Sequence, residues 1–180
     1  MEQEKIIMSA EEMGRVLERL AFEVLERHGD CSNLAIIGIQ RRGVDMAERI
    51  RKMLEKRVGR ELSYGMLDIT LYRDDWTRLS DQPSLNKTEI PFDVDGKDIL
   101  LVDDVLYTGR TTRAALEAIL DFGRPKRVEL MVFIDKGNRE LPIQADYNGK
   151  MFETPHGEHV FIDLEERDDR DLVYLGERRR

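Results

Sequence analysis

The segment Ile99-Leu-Leu-Val-Asp-Asp-Val-Leu-Tyr-Thr-Gly-Arg-Thr-Thr-Arg113 constrains this chain more than any other stretch. Four consecutive apolar residues, Ile99 to Val102, read as a strand buried on both faces, the pattern of a parallel sheet covered by helices. Asp103 and Asp104 follow at its carboxyl end, the edge at which open α/β sheets place their ligands. Thr108, Gly109, Thr111 and Thr112 then lead a turn into a helix. The first turn of a helix carries unpaired N–H groups and a partial positive charge, which attract phosphate. Gly109 lets the backbone approach closely, and the threonine hydroxyls add donors. Each part alone reads as a strand end or an N-cap. The combination is more specific, because paired carboxylates beside a phosphate cradle would repel an anion unless something separates them. Ribose hydroxyls meet that need, donating to the acids while a 5-phosphate rests on the amides.

Strands and helices alternate around this segment. Ser9 and Glu12 make a capping-box pattern, and Val16, Leu17, Leu20, Ala21, Val24 and Leu25 recur at helical spacing, predicting an amphipathic helix over 9–28. Residues 34–39 read as a short buried strand, followed by a loop at 40–43. A second helix is expected from Val44 to about Lys56, with Val44, Ala47, Ile50 and Leu54 facing inward. Residues 63–73 read as a strand that opens into a long polar stretch, 74–89, of a length that is usually functional or mobile. A helix from Thr111 to about Phe122 ends at Gly123 and cannot pass Pro125. Further strands are expected at 127–134, 144–147, 159–164 and 172–175. The expected architecture is α/β: a mostly parallel central sheet with helices on both faces, in one domain spanning 1–180.

Composition narrows the function. A length of 180 residues suffices for one substantial core, and the formal net charge of −8 leans away from a protein dedicated to gripping nucleic acid. Cys31 is the single cysteine, which excludes an internal disulfide framework; it reads as a packing residue in a reducing cytosol. No apolar run approaches the ~20 residues that span a bilayer, and the basic start of a secretory signal is missing, so no membrane and a cytoplasmic location are expected. His28, His156 and His159 have no spacing that makes a metal site or catalytic pair. Arg178, Arg179 and Arg180 read as a solvated tail.

The 99–113 segment is similar to the PRPP (5-phosphoribosyl-1-pyrophosphate) signature of type I phosphoribosyltransferases. The stretches Leu67–Asp75, 102–111, Gly123–Pro125, Arg139–Ile143 and Ala145–Tyr147 extend the match, and the chain resembles the PyrR family from about residue 5 to 175. That family comprises regulators of pyrimidine-operon attenuation that also have uracil phosphoribosyltransferase activity. The resemblance implies the type I phosphoribosyltransferase fold with a small hood and a flexible loop. It implies PRPP, uracil and UMP as ligands, Mg²⁺ accompanying PRPP, a homodimer or higher homo-oligomer, and no DNA.

Residue by residue, the resemblance places Asp103 and Asp104 on the ribose hydroxyls and Thr108, Gly109, Arg110, Thr111 and Thr112 on the 5-phosphate, within a ligand-binding stretch that includes Val105, Leu106 and Tyr107. The loop Gly38–Gly43 would bind pyrophosphate through backbone amides and an arginine. Arg42 and Gly43 match that pattern, whereas Arg41 stands where a threonine is expected and reads equally as a solvated charge or a pyrophosphate contact. Arg73, with Asp103 and Asp104, is expected in the catalytic machinery, at the start of a lid over 72–89. Ile134, Asp135, Lys136 and Gly137 would lie against the base, with Lys136 replacing the family's usual arginine and losing its planar fork. No residue is expected to ligate metal directly.

Pyr leader RNA is a second expected partner, through Arg139 and Lys150. Here the chain departs from the family: Glu18 and Phe22 stand for a threonine and a histidine, Asn138 for a histidine and Gln144 for an arginine. Fewer donors and an added acid near a phosphate backbone weaken binding, so attenuation is expected to be weak or lost. The alternative is a UMP-sensing attenuator with little physiological catalysis. The phosphate cradle alone would also admit a purine or orotate.

Overall fold

A computed structural model describes residues 5–74, 87–154 and 159–176. The lid expectation falls mostly on 75–86, and His156 and the arginine tail fall on 155–158 and 177–180; all lie outside the described residues.

The buried strand predicted at residue 99 is the middle of a five-stranded sheet. Its strands are β2 (Leu34–Ile39), β3 (Ser63–Leu67), β4 (Asp98–Leu106), β5 (Arg127–Asp135) and β6 (Tyr147–Met151), in the order β3-β2-β4-β5-β6, all parallel. Alternate residues of each strand feed two cores, as the pleat requires. Leu34, Ile36, Leu100, Val102 and Phe133 pack against α1 (Ala10–His28) and α2 (Arg42–Val58). Ala35, Ile37, Ile99, Leu101 and Val132 pack on the other face against α3 (Arg110–Leu120), which contributes Ala114, Ala115, Ala118 and Ile119. The α/β architecture with helices on both faces is as expected.

A second, antiparallel sheet forms the hood. It contains β1 (Lys5–Ser9), β7 (His159–Asp163) and β8 (Leu172–Gly176) in the order β1-β8-β7, with the short helix α4 (Glu165–Asp168) between the last two. Charge complementarity fastens it to α2. Arg49 bonds both Glu166 and Asp171 at 2.5–2.8 Å, Arg42 Nη2 donates to both Asp168 oxygens at 3.0 and 3.1 Å, and Arg167 bonds Asp45.

Several boundaries differ from the sequence expectation. The strand expected over 63–73 ends at Leu67, because Asp68 Oδ1 accepts from Thr70 N at 2.9 Å and draws 70–72 into a 3-10 turn. β4 continues past the acidic pair, since Val105 still pairs with Ile134 and Leu106 with Asp135. The strand expected at 144–147 occupies 147–151 instead. Asp146 exchanges bonds with Leu130 through its amide and carboxylate, at 2.8 and 2.9 Å, so regular pairing begins one residue later. α3 stops at Leu120, short of Gly123. β1 and α4 have no counterpart among the expected elements.

Candidate functional site

The carboxyl ends of β2, β3 and β4 enclose a cleft of about 320 Å³. Gln40 and Arg41 reach it from the β2–α2 loop, Asp68, Ile69, Thr70 and Arg73 from the segment after β3, Asp103, Asp104 and Val105 from β4, and Thr111 from the first turn of α3. Three separate sequence signals thus meet in one place: the acidic pair, the glycine-bounded loop and the start of the polar segment.

Close backbone packing makes this convergence possible. A Cβ on Gly38 would lie 2.5 Å from Val44 Cα, and one on Gly43 only 2.6 Å from Val102 O. Real Cβ atoms do not approach so closely, so both positions need glycine for α2 to begin against β2 and β4. The Gln40–Arg41 peptide is cis.

The helix starts facing the cleft differ from the start of α1. Ser9 and Glu12 close a full capping box on α1, Ser9 N donating to Glu12 Oε2 at 2.8 Å and Glu12 N to Ser9 Oγ at 3.4 Å. Among the described residues, α2 and α3 have no side-chain hydrogen bond at the N-cap. Gly109 is the N-cap of α3, at φ 91°, a left-handed conformation that favours glycine. Within the first turn of α3 the Arg110 amide donates to Thr108 Oγ1 at 3.4 Å, and the amides that follow it are the ones offered to an anion.

Of the two acids beside that turn the first is held out of water and the second is half-buried. Asp103 is 7 % exposed, and burial, reinforced by the adjacent Asp104, pushes its carboxyl well above the usual range. Asp103 Oδ1 accepts from Asp104 N at 2.9 Å, and Asp104 Oδ1 accepts from Val105 N at 2.8 Å. These bonds fix both carboxylates and leave oxygens for a ligand. The arrangement can accept hydrogen bonds from a diol on one side and bind an anion on the other.

The remaining expected residues divide. Thr111 lines the cleft, whereas Thr112 and Leu106 are buried, each 2 % exposed, and support it from behind. Arg110 points outward and is taken by Glu140 at 2.6 Å and Asp74 at 2.5 Å. Arg41, the ambiguous residue, is on the cleft wall. Arg42 is turned away, its Nε donating to Ile162 O at 2.6 Å while its Nη2 holds Asp168. Ile134 pairs beside Val105, so the end of β5 adjoins the acidic pair without lining the cleft. Lys136 Nζ sits 4.5 Å from the Tyr107 ring centroid, and desolvation lowers its pKa. Asp135 is engaged by Arg139 at 2.5 Å. Lys150 Nζ donates to Ile7 O at 3.2 Å.

Gln40, Asp68 and Thr70 were not singled out. The signal for the last two was present: Asp68-Ile-Thr70 places polar side chains directly after an apolar strand, where Asp68 Oδ1 accepts from the Thr70 hydroxyl at 2.5 Å. Among the described residues no cluster of three or more His, Cys, Asp or Glu could hold a metal by itself, and no helix is long and apolar enough to cross a membrane.

Comparison with known proteins gives the family and the fold. The family described as phosphoribosyl transferase domain matches residues 4–165. A protein of Elusimicrobium minutum named Bifunctional protein PyrR is 52 % identical over 172 residues, covering 96 % of each chain. A protein of the same name from Thermus thermophilus is 50 % identical, covering 96 % of this chain and 95 % of its own. Among solved structures, a hypoxanthine phosphoribosyltransferase of Trypanosoma cruzi superposes with a TM-score of 0.71 at 16 % identity, covering 97 % of both chains. One from Staphylococcus aureus gives 0.68 at 20 % identity, covering 94 % of this chain and 90 % of its own. At such identities these two share the fold.

Proposed function

The chain belongs to the phosphoribosyl transferase family and, within it, to the PyrR proteins, and from that premise we propose that it joins uracil to PRPP, giving UMP and pyrophosphate. In this reading N1 of uracil bonds to C1 of the sugar, the bond from C1 to the pyrophosphate oxygen breaks, and the N1 proton is lost. The sugar passes through an oxocarbenium-like state while negative charge grows on the leaving group. No covalent nucleophile is needed. The protein positions two reactants and stabilises the departing charge.

Asp103 and Asp104 accept the ribose hydroxyls, and the amides of the 108–112 turn hold the 5-phosphate. Arg41 and the backbone around Gly43 receive the pyrophosphate, with Arg73 on the same wall; the Arg42 side chain serves the hood instead. The base lies along Ile134–Gly137. Because the Asp135 carboxylate is already committed to Arg139, base recognition falls to backbone groups and Lys136. The donor set suits Mg²⁺: two carboxylates at the cleft edge offer hard oxygens to an ion that keeps its waters and binds chiefly to substrate phosphates. Bound there, the ion would supply positive charge beside the leaving group.

The observation that carries this reading is the juxtaposition of two fixed acids with an uncapped helix start in one cleft. Pyrophosphate release from PRPP, measured with uracil, orotate, hypoxanthine and guanine, tests it. Release with uracil alone is expected, and a preference for a purine or orotate would overturn the pyrimidine assignment.

The word bifunctional in the relatives' names motivates a second reading, an RNA-binding regulator that senses UMP. The residues expected to touch RNA do not favour it here. Arg139 and Lys150 are bonded within the protein, and Phe22, which stands where a histidine is expected, carries the Arg57 guanidinium at 4.2 Å on one face of its ring. Binding to a pyr leader RNA is expected to be weak and insensitive to UMP. Tight, UMP-enhanced binding would restore the regulator.

A further inference from the structure

Arg139 is not on the cleft wall, and its guanidinium bonds are all internal. Nε donates to Ile143 O at 2.9 Å, Nη1 to Tyr107 O at 2.9 Å and Gly137 O at 3.1 Å, and Nη2 to Asp135 Oδ2 at 2.5 Å. Asp135 is 4 % exposed, and its other oxygen accepts from Gly137 N at 2.9 Å. One planar fork therefore clasps the loop after β5 and reaches across to the turn between β4 and α3. A flexible ammonium could not span those acceptors together.

The backbone repeats the crossing on either side. Lys136 N donates to Leu106 O at 2.8 Å, and Glu140 N and Leu141 N donate to Thr108 O at 2.9 and 3.1 Å. The carbonyls of three consecutive residues, Leu106, Tyr107 and Thr108, are thus all turned toward 136–141. In a trans peptide the C=O and the next N–H point in opposite directions. The amides of Tyr107, Thr108 and Gly109 are therefore turned away from that segment. Of these links, the one at Tyr107 depends on a side chain.

We propose that Arg139 is a positioning residue that sets the base-reading loop against the phosphate-binding turn, so that a nucleotide spans both in one geometry. The proposal rests on the phosphoribosyl transfer reading above. It replaces the expected RNA contact, because four of the five N–H groups that would meet a phosphate backbone are spent inside the protein.

The test compares the full wild-type chain with R139K and R139Q, using calorimetry with UMP and with ribose 5-phosphate, together with steady-state turnover of uracil. Thermal melts confirm folding, and R139K carries the test if R139Q does not fold. Ribose 5-phosphate engages only one of the two loops, so the ratio of the affinities reads the coupling and is unmoved by a lower folded fraction. In both variants UMP affinity is expected to fall at least about tenfold more than ribose 5-phosphate affinity, with uracil turnover falling alongside and no rescue by lysine. A folded variant whose ratio and turnover stay within about twofold of wild type, the behaviour of an arginine reserved for RNA, overturns the proposal. A wild-type chain that neither binds UMP nor converts uracil overturns the functional reading, and this inference with it.

Discussion

The two ends of β4 each bury an acid, and the sheet treats them in opposite ways. At the amino end Asp98, 5 % exposed, accepts from Asn33 Nδ2 at 3.1 Å and from Arg127 Nε at 2.8 Å. Beside it on β5, Glu129 is 3 % exposed. Its Oε2 lies 2.7 Å from His28 Nε2 and accepts from the Tyr147 hydroxyl at 2.9 Å, and its Oε1 stands 3.4 Å from both Arg27 and Arg127. Burial alone would raise both carboxyls, but the surrounding donors outweigh it, and both are held below the ordinary range. At the carboxyl end Asp103 has, among the described residues, only neighbouring backbone and another acid, and its carboxyl is pushed up. One end of the strand is paired for stability. The other is left wanting a partner, which is what a binding site requires.

The largest effect expected from this contrast is on turnover. D103N and D104N remove acceptors that orient the ribose, and each is expected to lower kcat/KM for uracil transfer by about 100-fold or more while the protein stays folded. Loss of less than about threefold in both would break the contrast at its functional end. The reciprocal substitution, E129Q, should cost roughly 2–3 kcal/mol, because it strips charge from a buried network while leaving His28 and two arginines around it. In melts this appears as a Tm drop of roughly 5–10 °C, with turnover of the folded protein within about twofold of wild type. Since the Glu129 carboxyl is depressed in the fold, its contribution is present above the ordinary carboxylate range and is lost as pH falls through the lowered value. The gap between wild type and E129Q should close in strong acid.

Asp103 gives the opposite sign. Its folded-state pKa is raised, so the fold loses stability as pH rises above the ordinary carboxylate range and regains it as pH falls back through that range. D103N, which keeps the oxygen that accepts from Asp104 N, should therefore be the more stable protein near pH 7, by about 1 kcal/mol or a Tm rise of roughly 2–4 °C. The advantage should shrink as acid titrates Asp103 in the wild type. A D103N protein that melts below wild type at neutral pH would show that the acid is satisfied by bonds in the fold, and the comparison between the two ends would fail.

What could be read from sequence tracks how local each signal is. The strand, acids and glycine turn of 99–113 were legible because every part lies within fifteen residues and meets a simple steric or electrostatic demand. The capping box of α1 was legible for the same reason. The extent of β4 was not, since its last pairs depend on β5, about thirty residues on. β1 escaped notice because its partner is β8, at the far end of the chain. The arginines were the least legible. Arg42 reads as a phosphate ligand until Asp168, 126 positions away, claims it, and Arg139 reads as an RNA contact until Tyr107, 32 positions back, does the same. Asp68 and Thr70 could have been found, for their polar pair directly follows an apolar strand.

The helix starts offer a smaller version of the same contrast. α1 satisfies its own amides through Ser9 and Glu12, whereas α3 begins at Gly109 with no side-chain cap. If an empty cap is a binding feature and a filled one a structural feature, removing the filled one should touch stability alone. S9A is expected to lower Tm by about 1–3 °C. Affinity for UMP and ribose 5-phosphate should remain at the wild-type value, because Ser9 lies at the hood end of α1, away from the cleft wall. Calorimetry on the folded variant decides the point. A loss of nucleotide affinity in S9A would mean that the hood strand β1, which ends at that cap, transmits order to the site, and the division into a capped structural start and an open binding start would have to be redrawn.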